Sequence, residues 1–184
     1  MVRRLLPRII AALVLLLPTS ALAGGEINLF YGQKSLDEDD WGPMDTHQAI
    51  GLELTFGHEW PVAVAIDFFK TEDDTTFEGL KITGETQEID GGVRYLFRKQ
   101  KKVQPYLGGG LAFIDAEFSS MGVGISDSAV GLWIAGGVNF RIGKYFNLGL
   151  DLRSSSAEVE MVGIKGEAGG VYAGVLVGFR WGGS

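Results

Sequence analysis

Cysteine is absent from this sequence, histidine occurs only at positions 47 and 58, and acids outnumber bases by 23 to 16. Without cysteine there is no disulfide framework of the kind that often holds small exported domains together. A chain with a net charge of −7 also lacks the basic surface that binds nucleic acid. Beyond the first two dozen residues there is no long apolar run, so no spanning helix is expected.

The amino-terminal stretch reads as a cleaved secretory signal. Arg3, Arg4 and Arg8 give it a positive start, Ile9 to Leu17 are uninterruptedly apolar, and Pro18 breaks the run. Ala21-Leu22-Ala23 then supplies a small-x-small cleavage pattern. The apolar core is about half of the roughly 20 residues that a retained helical anchor needs. No cysteine follows, which excludes a lipidated terminus. The expected organisation is a signal peptide over residues 1–23 and a single domain over residues 24–184. Losing three arginines takes Lys plus Arg from 16 to 13 against 23 acids, and the net charge to −10.

What is present is glycine, 28 residues in all, together with short segments in which apolar and other residues alternate. Helix interiors tolerate so much glycine badly, and alternation with period two marks half-buried strands. In Ala129 to Arg141, Val130, Leu132, Ile134, Val138 and Phe140 share one face. Phe146 to Arg153 and Val171 to Trp181 repeat the design. Ile27 to Lys34, Ala49 to Gly57, Val62 to Thr71, Glu85 to Phe97 and Val103 to Glu117 complete a set of eight. Most are near the length of a tilted membrane strand, about 9–11 residues.

The connections alternate in length. Residues 58–61, 98–102 and 142–145 are short; residues 35–48, 72–84, 118–128 and 154–170 are longer, polar and expected to be irregular. Short turns at one end and long loops at the other are the pattern of bacterial outer-membrane barrels. Phe56, Trp60, Phe97, Tyr106, Phe140, Tyr145, Phe146, Phe179 and Trp181 gather at the short-turn end, with Tyr31, Phe68 and Phe113 towards the other. Aromatic rings favour the headgroup level of a membrane. The expected fold is an all-β, eight-stranded antiparallel up-and-down transmembrane barrel with both termini in the periplasm.

On these features the chain resembles the OmpA/OmpX-like family of eight-stranded outer-membrane barrels across residues 25–181, ending in the strand Val-Gly-Phe-Arg-Trp. Trp181 is followed by Gly182-Gly183-Ser184, a departure from the aromatic that commonly ends the chain in that family and helps the insertion machinery recognise the last strand. The expected protein is a non-enzymatic, integral barrel of the bacterial outer membrane, without cofactor or metal, that stabilises the envelope or presents its acidic loops for interaction. Its surroundings would be lipid and lipopolysaccharide, with the barrel-insertion machinery as its partner during assembly. An extracellular partner would meet the loops.

Three places could carry a role. The inward faces hold Glu26, Glu53, Asp67, Glu88, Asp90 and Asp151 against Arg94, Arg141, Arg153 and Arg180. Buried charges must pair, so they form either a plug or a gated path; a filled eight-stranded interior favours the plug. Gly91, Gly109 and Gly136 project outward at similar height and could cut a groove in the wall for an acyl chain or a partner strand, or simply ease curvature. The loops are acidic, with Asp37, Glu38, Asp39, Asp40 and Asp45 in the first and Glu72, Asp73, Asp74 and Glu78 in the second. They are read as solvated charge, with divalent cations bridging to lipopolysaccharide as the alternative.

Two further classes remain open at this point. A lipid A acyl-modifying enzyme would use His47 with Asp73 or Asp74 and a threonine nucleophile, Thr75 or Thr76, because no serine follows the acid. A soluble calycin-like binder would turn its apolar faces inward.

Overall fold

The computed structural model describes residues 24–36, 45–57, 61–77, 80–97, 101–120, 123–161 and 164–182. The expected signal segment and the acidic run 37–44 lie outside these residues. Eight strands close a barrel: β1 (Gly25–Ser35), β2 (Thr46–Phe56), β3 (Val62–Phe77), β4 (Leu80–Leu96), β5 (Val103–Ser120), β6 (Val123–Ile142), β7 (Phe146–Ser156) and β10 (Gly170–Trp181). Each pairs antiparallel with its neighbours in sequence, and β1 closes on β10 from Gly25↔Trp181 to Ser35↔Val171. The up-and-down order follows from alternation within each segment and short links between them. Between β6 and β7 the link is three residues long, and Gly143, with φ of 67°, takes the left-handed conformation that a side chain would resist.

Alternation sets what faces where. Leu29, Leu132 and Ile134 point outward with about two-thirds of their surface exposed, and Val93, Leu107, Leu150 and Val177 point outward with a little over half exposed. Their strand neighbours Glu53, Asp67, Asp90, Arg94 and Arg153 point inward and are buried. The apolar belt is continuous around the wall, far beyond the patch a soluble monomer exposes. These faces are the reverse of a soluble calycin-like barrel. Lys70, Glu72, Glu85, Asp115 and Glu117 are charged and point outward, all near the long-loop end of β3 to β5.

The two ends differ. At the short-turn end Tyr145 stacks on Phe179 with ring centroids 5.7 Å apart, and Tyr95 meets Phe97 at 4.7 Å. Phe56 meets Trp181 at 6.2 Å. Tyr106, expected in this girdle, instead points into the barrel and is 2 % exposed. It alternates with the outward Leu107, and a buried acceptor opposite holds its hydroxyl.

At the long-loop end the expected irregular loops are largely strand. Pairing of β3 with β4 continues to Phe77↔Leu80, and of β5 with β6 to Ser120↔Val123. Pairing of β2 with β3 stops at Gln48↔Glu72, and of β6 with β7 at Leu132↔Ser156. Strands β3 to β6 therefore project past the rim as a four-stranded sheet. Residues 154–170 hold a second small hairpin, β8 (Glu158–Met161) with β9 (Ile164–Glu167). Once both faces of a strand meet water, apolar alternation disappears from the sequence while β-favouring threonine and isoleucine remain.

Candidate functional site

The inward faces build a layered polar lumen. Glu53, Asp67 and Asp90 stand side by side on β2, β3 and β4, in register as Glu53↔Asp67 and Asp67↔Asp90. Like charges opposed across strands repel, so this row requires cations. Arg94, two inward positions along β4 from Asp90, places one guanidinium nitrogen 2.9 Å from Asp67 and 3.4 Å from Glu53, and the other 2.5 Å from Thr55 Oγ1. Arg153 comes from β7, which stands four strands from β3 in either direction round the barrel. It crosses the lumen to reach Asp67 at 2.6 Å, bonds Asp90, and lies 3.7 Å from Glu53.

Aromatic rings hold the two guanidiniums in place. Arg153 lies 4.5 Å from the ring centres of both Phe69 and Trp133, and Arg94 lies 5.1 Å from that of Tyr106. Such cation–π contacts gain strength when desolvated. The Tyr106 hydroxyl donates to Asp151, whose other oxygen is 3.8 Å from Arg153 Nε. Inward glycines make room for these rings. A Cβ on Gly108 would lie 3.0 Å from the Trp133 indole, and one on Gly110 would run into the Gly91 carbonyl.

Above this layer Glu88 accepts from Tyr172 Oη at 2.6 Å and Ser155 Oγ at 3.0 Å, with Lys34 Nζ at 3.5 Å. Lys34 also donates to Thr86 at 3.2 Å and to the Ala168 carbonyl at 2.9 Å. Thr86 meets Thr71 at 2.7 Å, and Thr71 meets His47 Nδ1 at 3.1 Å. His47 is completely buried on an inward face. Buried Leu36, Ile114, Ala116, Ala157 and Ala168 join one apolar cluster with Trp133 near this mouth. Below the central layer, Glu26 accepts from Asn139 at 2.9 Å and faces Arg180 in the β1–β10 register, while Arg141 donates to Gln104 at 2.9 Å.

Of the ten charges expected on the inward faces, Glu53, Asp67, Asp90, Arg94, Asp151 and Arg153 converge, with Glu88 in the layer above them and Glu26 in the layer below. Arg141 and Arg180 lie apart, in the layer near the short turns. Sequence reading passed over Lys34, Tyr106 and Tyr172. The parity of Lys34 with Glu26 along β1 could have placed it inside, whereas Tyr106 and Tyr172 carry no charge to mark them.

Gly91 pairs with Leu111, and Gly109 with Ile134, so each glycine is offset by two residues from the next across the wall. The Leu107 side chain reaches to 3.1 Å from where a Cβ of Gly136 would stand. A cavity of about 620 Å³ lies elsewhere in the wall, over β1 to β5, between Leu29, Ile50, Phe68 and Ile89 with Lys70, Gln87 and Asp115 beside them. Among the described residues no group of three or more acids and histidines could hold a metal ion.

Comparison with known proteins agrees with this geometry. Ail of Yersinia pestis, solved in complex with the heparin analogue sucrose octasulfate, is 21% identical with a TM-score of 0.61, covering 86% of this chain and 98% of its own. The N-terminal β-barrel domain of Pseudomonas aeruginosa OprF is 17% identical with a TM-score of 0.59, over 86% and 98%. Neisserial surface protein A is 16% identical with a TM-score of 0.57, over 85% and 94%. At these identities the likeness is one of fold. No curated protein matches. The profile of the outer membrane protein beta-barrel domain matches residues 9–181, and the chain belongs to that family.

Proposed function

We propose that this integral outer-membrane barrel is a closed, non-enzymatic envelope protein that presents its projecting sheet to the outside. The observation that carries the closed reading is Arg153. Its guanidinium spans the lumen to Asp67 and Asp90 on the far wall, with Trp133 and Phe69 against it. An eight-stranded interior is just wide enough for side chains to fill, and here charges, rings and a small apolar cluster fill it in layers. The purified protein in a planar bilayer is expected to give no stable conductance; steady open channels would overturn the plug.

The non-enzymatic reading is supported by His47. Surface lipid chemistry needs an imidazole exposed near the rim, and this one is buried inside the wall beside Thr71. His58 lies outside the described residues. Incubation with lipid A is expected to leave its acyl chains unchanged, and any transfer or hydrolysis would restore the enzymatic reading.

The projecting sheet supports the interaction reading. Glu72, Glu85 and Glu117 stand in register on the outward face at its base, with Lys70 between the first two. The Ail structure contains a polysulfated sugar; for this chain, three aligned carboxylates favour partners with basic surface. In this arrangement the long loops and the sheet face outward and the termini lie in the periplasm after cleavage before Gly24. Outer-membrane lipid and lipopolysaccharide surround the belt, and the insertion machinery handles the chain during assembly.

A further inference from the structure

We infer that the short-turn mouth of the lumen is a binding site for the phosphate group of a small soluble phosphate monoester. Four side chains of inward parity build it. Lys102 and Gln104 stand at the start of β5, Arg141 near the end of β6 and Arg180 near the end of β10. Lys102 extends the ladder of β5, since its carbonyl accepts from the Arg141 amide at 2.8 Å, and it shares the parity of Gln104.

Arg141 is held in place but not saturated. Its Nη2 donates to the Gln104 side-chain oxygen at 2.9 Å. Among the described residues its Nε has no acceptor, and neither has the Gln104 amide nitrogen. Gln104 is 1 % exposed. Buried donors without acceptors are costly, and these two lie in one layer, where an anion entering the mouth would supply acceptors.

Charge sets the kind of anion. Arg141 and Arg180 stand within electrostatic reach of each other and of Glu26. With Lys102, three cations face one carboxylate, an excess of two positive charges in a chain that is acidic as a whole. A phosphate monoester carries roughly −1.5 to −2 near neutral pH, whereas a carboxylate would cancel only half of the excess. Guanidinium N–H groups also match phosphate oxygens in a planar, two-pronged fashion.

The occupant enters from the turn side and stops there. Tyr106, the next inward position on β5, is buried between Arg94 and Asp151 and closes the way further in. The site opens to the lumen and not to the lipid wall, so a lipid headgroup would have to fold over the turns to reach it. That the solute is periplasmic rests on the orientation proposed above; binding to the purified barrel does not.

The test is isothermal titration calorimetry of the purified full barrel in a non-ionic maltoside at low salt. Glycerol 3-phosphate, acetate and dihexanoyl phosphatidic acid are titrated in separate runs. One saturable site for glycerol 3-phosphate is expected, about tenfold tighter than for acetate, a difference of about 1.4 kcal/mol. Arg141→Gln should weaken it about tenfold and Lys102→Gln about threefold. Lys144→Gln, which removes an ammonium 5.4 Å from the Tyr145 ring centre at the neighbouring turn, should change nothing. Lys102 and Lys144 are exposed, so both of their variants should keep the folded barrel's shift on boiling. Absence of saturable binding by the wild-type protein, or equal weakening by Lys102→Gln and Lys144→Gln, overturns the site. Acetate binding as tight as glycerol 3-phosphate overturns the assignment to phosphate. Tighter binding of dihexanoyl phosphatidic acid than of glycerol 3-phosphate overturns the soluble source. Conductance does not enter this test, so failure of the plug leaves it readable.

Discussion

Arg153 concentrates more of the lumen's electrostatics than any other described side chain, since Glu53, Asp67, Asp90 and Asp151 all lie within 4 Å of its guanidinium. Replacing it with methionine keeps the volume but leaves a row of carboxylates opposed across neighbouring strands. Breaking a buried pair from one side costs about 3–5 kcal/mol, so Arg153→Met should lower stability by that much, read as a shift in the urea midpoint of the heat-modifiable form. Removing charge from both sides should recover most of the loss. Arg153→Met combined with Asp67→Asn and Asp90→Asn is expected to be far more stable than Arg153→Met alone, and an additive further loss would show that the charges are not coupled. That these residues face inward was legible from strand parity alone. That Arg153 reaches across to β3 was not, because partners across a lumen are set by barrel closure and strand order. Tyr106 shows the same limit: its parity was available, but its position near a turn suggested the girdle.

At the scale of the element, alternation found every strand of the barrel but not its length. β6 was read from Ala129, yet it begins at Val123. Its first nine residues extend beyond its last pairing with β7, about 30 Å along the strand. Before Ala129 the outward positions Ser126 and Ser128 are polar, so no apolar face marks the extension. The small β8–β9 hairpin went unread for a similar reason, as four-residue strands are too short to show a period. If the projecting sheet is an appendage to the barrel, it should be removable. Replacing residues 74–83 with Asn-Gly, a pair suited to a two-residue hairpin turn, should leave the shift on boiling intact because the barrel ladders below Asp73↔Gly84 are untouched. Binding to basic partners through Glu72, Glu85 and Glu117, which the replacement keeps, should persist. Loss of the folded form would mean that the sheet helps to hold the barrel closed. Gly110→Val should behave in the opposite way, preventing folding without touching the sheet, because the added side chain meets the Gly91 carbonyl across the ladder.

For the molecule as a whole, the orientation of its faces relative to lipid makes a prediction that depends on depth. Ile134 is outward, about two-thirds exposed, and lies well inside the apolar belt of β6. Ser128 is outward on the same strand, in register with Asp115, in the row where polar side chains first appear on β3 to β5. An arginine on the lipid face costs about 2–4 kcal/mol at the bilayer midplane and about 0–1 kcal/mol near the interface. Ile134→Arg should therefore destabilise the barrel by the larger amount and Ser128→Arg by almost nothing, measured as unfolding free energies in lipid vesicles. The same pair in a soluble barrel would give small, similar effects, because both side chains would stand in water. Equal costs at the two positions would contradict the belt, whereas a steep difference along six residues of one strand requires a low-dielectric slab around the wall. The gradient depends only on where lipid begins and ends, so it tests membrane embedding independently of anything the loops bind or the lumen excludes.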